Sequence, residues 1–76
     1  MAHINTLVRD TEFTHDATIL NPFDEFMRIV ARSTDLRHMH TRKCHDIIYS
    51  YAGKELAHKS IVYKRGKPIS IRVTIF

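Results

Sequence analysis

From Ile69 to Ile75 the chain alternates apolar and polar side chains without a break: Ile69-Ser70-Ile71-Arg72-Val73-Thr74-Ile75, followed by Phe76. A period of two is the pattern of a half-buried β-strand, because successive side chains point to opposite faces. Ile69, Ile71, Val73 and Ile75 then share a face that must be covered, and Ser70, Arg72 and Thr74 face outward. The run His58-Lys59-Ser60-Ile61-Val62-Tyr63 supplies a partner strand. Lys64-Arg65-Gly66-Lys67-Pro68 supplies the turn of a β-hairpin, with Gly66 giving the positive φ that tight turns need. A two-residue and a three-residue loop both fit, so the register stays open.

The covering layer is legible upstream. Asn21-Pro22-Phe23-Asp24-Glu25 carries a helix start: Asn21 caps an orphan amide, and Pro22 has no amide to leave unpaired. Asp24 and Glu25 place negative charge at the positive end of the helix dipole, which explains the adjacent carboxylates without catalysis. Phe23, Phe26, Met27 and Val30 follow on one helical face, which predicts a helix over residues 22–32. A second helix is expected over residues 35–52. Leu36, Met39, Cys44, Ile47, Ile48 and Tyr51 fall in one broad sector at helical spacing, and Gly53 stands where a helix would end. In a variant of this expectation the helix begins at Thr41 and residues 36–40 form a connector. Residues 2–9 and 11–20 suggest one or two strands. The expected fold is a single α+β domain over residues 1–76, a two-layer arrangement in which a small antiparallel sheet with the C-terminal β-hairpin packs against two helices.

A chain of 76 residues buries a modest core, so a homodimer is an option that its size keeps open. The single Cys44 excludes an internal disulfide and reads as a reduced, cytoplasmic residue. The opening Met1-Ala2-His3-Ile4-Asn5 lacks the basic start and apolar run of a secretory leader, and no apolar stretch approaches membrane-spanning length. With two glycines there is no Gly-rich phosphate loop, and no Gly-x-Ser-x-Gly elbow occurs.

Charge is divided unevenly. Residues 1–26 hold one Arg against five carboxylates, whereas residues 27–76 hold eleven Lys and Arg against Asp35, Asp46 and Glu55. That asymmetry points to a polyanionic partner for the second part, unless the two parts neutralise each other in the fold. On the expected second helix, His38, Arg42, His45 and Tyr49 form one stripe at spacings of four, three and four, suited to gripping phosphates and stacking a base. A plain solvated helix face explains the same stripe. Lys59, Lys64, Arg65, Lys67 and Arg72 lie on the hairpin, where they would follow a phosphate backbone or simply protect a sheet edge. Tyr63 and Phe76 are candidate exposed aromatics beside them.

His40 and Cys44 are four apart, but a structural zinc needs four ligands and Arg42 and Lys43 add unfavourable positive charge, so no metal is expected. Cys44 and His45 are helix neighbours that point about 100° apart and make no nucleophile–base pair. The favoured function is a non-enzymatic binding module without cofactor. It docks the helix stripe and hairpin on nucleic acid, or on a nucleic-acid-handling protein complex, as a small regulator or virus-encoded inhibitor would. One alternative is a protein-only inhibitor or adaptor presenting Asp10, Glu12 and Asp16 to a basic pocket. Another is a small ribonuclease with His38 or His45 as acid–base groups and Arg42 stabilising charge. It is weakened because a helix separates two histidines seven residues apart by about 10 Å.

Overall fold

The computed structural model describes residues 11–76. The expected strand over residues 2–9 and the candidate Asp10 lie outside them. One helix, α1 (Pro22–Arg32), and five strands follow in the order β1 (Glu12–Thr14), α1, β2 (Asp35–His40), β3 (Cys44–Tyr51), β4 (Lys54–Lys64) and β5 (Lys67–Ile75). The strands form one mixed sheet ordered β1-β5-β4-β3-β2. Strands β2 to β5 are an antiparallel meander, and β1 closes the other edge parallel to β5, with Phe13 opposite Val73.

The helix keeps its expected bounds. The Asn21 side chain accepts from the Asp24 backbone N–H at 3.1 Å, and the Ser33 hydroxyl and backbone N–H both donate to the Ile29 carbonyl at the other end. Its buried side chains are Phe26 and Ile29, with Met27 and Val30 beside them, while Phe23 is half exposed. The C-terminal hairpin also forms, with the two-residue loop. Arg65 and Gly66 have φ of 54° and 78°, the pair of left-handed residues that matches the twist of the flanking strands.

The second helix does not form, and the sheet, not a helical pair, dominates the fold. Residues 35–52 are instead the hairpin β2–β3 and the entry into β4. The helical spacing arose because β3 contributes apolar side chains to both faces. Ile47 and Tyr49 enter the core, and Ile48 lies half-buried on the other side. Such a run has no strict alternation and mimics a broad helical sector, although Ile and Tyr favour strands. Gly53 ends no helix. With Ala52 it makes the β3–β4 turn, at φ of 52° for Ala52 and 80° for Gly53.

Alternation divides the sheet into two faces. The helix side carries Ile47 and Tyr49 from β3, Ala57, Lys59 and Ile61 from β4, and Ile71, Val73 and Ile75 from β5. Phe26 is the keystone from the helix, its ring edge-on to Tyr49 at 5.2 Å between centroids and to Phe13 at 6.4 Å. Tyr49 and Lys59, expected at a partner surface, are therefore inside the core, each with 0% of its surface exposed. Register requires this: Lys59 stands opposite Ile47 and Val73, and its ammonium lies 6.0 Å from the centre of the Phe26 ring. No buried side-chain nitrogen or oxygen among the described residues lacks a hydrogen-bond partner.

Two measurements check this packing. Ala52 holds a left-handed backbone that costs an L-residue about 1 kcal/mol and that asparagine tolerates. Ala52→Asn should therefore raise the urea midpoint by the equivalent of about 0.5–1 kcal/mol, and a lowered midpoint would contradict the turn assignment. Desolvation pushes the Lys59 ammonium down to about 8 and raises the Tyr49 hydroxyl well above its usual value. Between pH 8 and 10 the unfolded chain then holds a proton on Lys59 that the folded chain has released. Stability should rise across this window, by on the order of 2 kcal/mol. Above about pH 10 the unfolded Tyr49 ionises while the folded one does not, and stability should fall again. Lys59→Met should abolish the rise in urea titrations; a wild-type profile that is flat between pH 8 and 10 would contradict a buried Lys59.

Candidate nucleic-acid interface

The helix runs back toward the start of β2, where the Thr34 backbone N–H donates to the Ser50 carbonyl. The opposite end of the sheet holds two tight connections: the β2–β3 loop of residues 41–43, and the β4–β5 turn at Arg65 and Gly66. Thr41 closes its loop, its N–H donating to the Cys44 carbonyl at 2.8 Å and its hydroxyl oxygen accepting from the Cys44 N–H at 3.0 Å. The Tyr63 N–H then donates to the Lys43 carbonyl at 2.7 Å. This last bond pins the β2–β3 loop to the end of β4, so the two tips hold a fixed separation.

Between them lies a cavity of about 490 Å³ lined by Arg42, Lys43, Tyr63, Lys64, Arg65, Gly66 and Ile69. Its rim supplies four cations and no carboxylate. None of these four makes an ion pair among the described residues, while Arg28, Arg37 and Arg72 each do. Tyr63, half-buried against the core, and Ile69 complete the lining. Ile69, expected in the core, is 57% exposed; it stands at the register shift of the β4–β5 pairing, between Ser70 opposite Val62 and Pro68 opposite Tyr63. A concave site with a ring, an aliphatic side chain and a cationic rim can accept a planar group with attached phosphates.

Beside the cleft, three histidines gather on the same side of the sheet. His38 and His40 are two apart on β2 and share a face, and His40 stands directly opposite His45 on β3. His38 Nδ1 lies 2.9 Å from His45 Nε2, and the His40 and His45 ring centres are 4.7 Å apart with the rings tilted by 38°. The distance expected on a helix is thus replaced by direct contact. His45 is the half-buried member. Desolvation lowers its pKa, and His40, His38 and Lys59 lower it further against a smaller opposing effect of Asp46. The His38 and His40 rings are tilted against His45 by 31° and 38°, and no group of three or more ligating side chains among the described residues is placed to hold a metal ion.

The other expected site residues divide. Arg42, Lys64 and Arg65 meet at the cleft, and Lys67 is exposed just beyond its turn. His38 and His45 belong to the histidine group, and Tyr49 and Lys59 to the core. Arg72 is on the uncovered face, where its Nε donates to Glu12 Oε1 at 3.1 Å. On the same face Arg37 is held by Glu55 at 3.0 Å and His58 by Asp46 at 3.1 Å. The acidic surface is dispersed as well: Glu12 is committed to Arg72, and Asp16 accepts the Thr18 N–H at 2.8 Å, a bond that lowers its pKa. Lys43, Tyr63 and Ile69 enter the site without having been expected there together; the neighbouring Arg42 and Lys64 were the available signal. Phe76 is exposed, its N–H donating to the Leu56 carbonyl. Among the described residues no helix is long and apolar enough to cross a membrane. No protein-family model, curated protein or solved structure matches the chain.

Proposed function

We propose that the protein is a non-enzymatic nucleic-acid-binding module whose contact surface is the cleft between the β2–β3 loop and the β4–β5 turn. The observation that carries this is the composition of the lining: Arg42, Lys43, Lys64 and Arg65 around Tyr63, with no carboxylate among them. Four cations held on two pinned tips match the repeated charge of a phosphodiester chain, and an aromatic floor offers a stacking surface. Such a module acts by occupying nucleic acid, or by taking the place of nucleic acid on a protein that handles it. A regulatory or inhibitory role follows from occupancy alone and needs no catalytic group.

Fluorescence anisotropy with labelled nucleic acid over a salt series tests the reading. Four phosphate contacts predict a slope of log K against log salt of about −3 for a single strand. Arg42→Glu with Lys64→Glu should weaken binding at low salt by at least about 100-fold, each reversed contact being worth more than tenfold. Lys54→Glu, a charge reversal at the other end of the sheet, should have a far smaller effect. No binding at about 25 mM salt, or equal losses in the two variants, would overturn the cleft as the site. The recovered RNA should be intact. Fragments that disappear with His45→Ala would replace this reading with cleavage by the contacting histidine pair.

A further inference from the structure

The hydrogen bond between His38 and His45 needs one donor and one acceptor nitrogen. Adding a proton to the acceptor leaves two N–H groups facing each other. Two facing donors require an acceptor between them, and an oxyanion meets that need where another side chain does not. His40 lies against His45 with ring centres 4.7 Å apart, so an anion that parts the pair meets imidazoles side by side on two strands. The surrounding positive charges oppose that added proton and favour an anion beside it. Lys59 lies beneath on β4, and Arg42 and Lys43 flank the group in the loop, two residues on from His40 and two before His45. Asp46, the one carboxylate acting on His45, is held by His58 on the opposite face.

Resting on the cleft reading, we propose that His38, His40 and His45 form a second phosphate subsite continuous with the cleft, and that the ligand is a single-stranded nucleic acid. Its path runs from the β4–β5 turn across the loop of residues 41–43 onto β2. The single strand is favoured over a duplex by the apolar part of the cleft lining. Tyr63 and Ile69 offer a ring and an aliphatic side chain, which meet the face of a base only where that base is unpaired and turned out of its stack. Imidazole faces on β2 and β3 continue that stacking surface. Because a protonated imidazole holds an oxyanion by a charge-assisted hydrogen bond and a neutral one does not, the subsite adds phosphate affinity as pH falls.

Oligouridylates of four and ten nucleotides, whose bases do not titrate in this range, provide the test. Binding is measured by anisotropy at pH 7.5 and 5.5 at constant ionic strength. The ten-mer should gain roughly tenfold in affinity at pH 5.5, one added charge-assisted contact, and the four-mer much less. The triple variant His38→Gln, His40→Gln, His45→Gln should bind the ten-mer equally at the two pH values. Its thermal unfolding midpoint reports whether it folds; if it does not, His40→Gln alone, at an exposed position, should halve the logarithmic gain or more. An undiminished gain in these variants, or no gain in the wild type, would overturn the subsite while leaving the cleft standing. An equal gain for a duplex of the same length would overturn the single-strand assignment. No binding of any oligonucleotide at either pH would remove the cleft itself.

Discussion

Among the described residues, one helix of eleven residues has to cover a sheet of five strands, and the arrangement of core and candidate site follows from that mismatch. At 1.5 Å per residue the helix is about 16 Å long, whereas β4 alone, with eleven residues at 3.3 Å, extends about twice as far. Phe26 therefore closes only the middle of one face, over Tyr49, Lys59 and the central aliphatic side chains. Beyond the covered region the same strands continue outward as the histidines of β2 and β3, and as Tyr63 and Ile69. Core and candidate site are successive stretches of the same strands.

Charge is sorted by the same geometry. On the uncovered face, Arg37, Arg72 and His58 each meet a carboxylate, so that surface is nearly self-neutral. At the loop ends, Arg42, Lys43, Lys64 and Arg65 meet none among the described residues. Of the three pairs on the uncovered face, only Arg72–Glu12 joins the acidic opening part to the basic remainder; the other two lie within the remainder. The backbone bond from Tyr63 to Lys43 extends the β3–β4 pairing into the loop and ties the two cationic tips together. Surface ion pairs contribute little to stability, so the pairing on the uncovered face matters mainly for where unpaired charge is left.

The sequence was readable where local chemistry has one solution. Asn21-Pro22 with Asp24 admits a helix start and little else, and the clean alternation from Ile69 to Ile75 admits only a half-buried strand. It misled where both faces of a strand are partly buried. Ile47, Ile48 and Tyr51 follow helical spacing by coincidence, and Gly53 serves a hairpin turn as readily as a helix end. A helix over residues 35–52 would turn Tyr49 to solvent and hold His38 and His45 apart, whereas the β2–β3 hairpin buries the first and brings the other two into contact. Lys59 is displaced separately, because the cross-strand register of the expected hairpin buries it. Arg42 is exposed on the expected helix face and on the observed loop alike, and Lys64 and Arg65 flank or form the same turn in both.

The central claim is that nucleic acid meets the chain at the loop ends and not on the charge-matched face. Backbone amide shifts of the ¹⁵N-labelled protein, recorded during titration with a single-stranded oligonucleotide, address it directly. Perturbations should concentrate at residues 41–45, 63–66 and 69. Perturbations centred on Arg37, Ser60 and Arg72, across the uncovered face, would contradict the account.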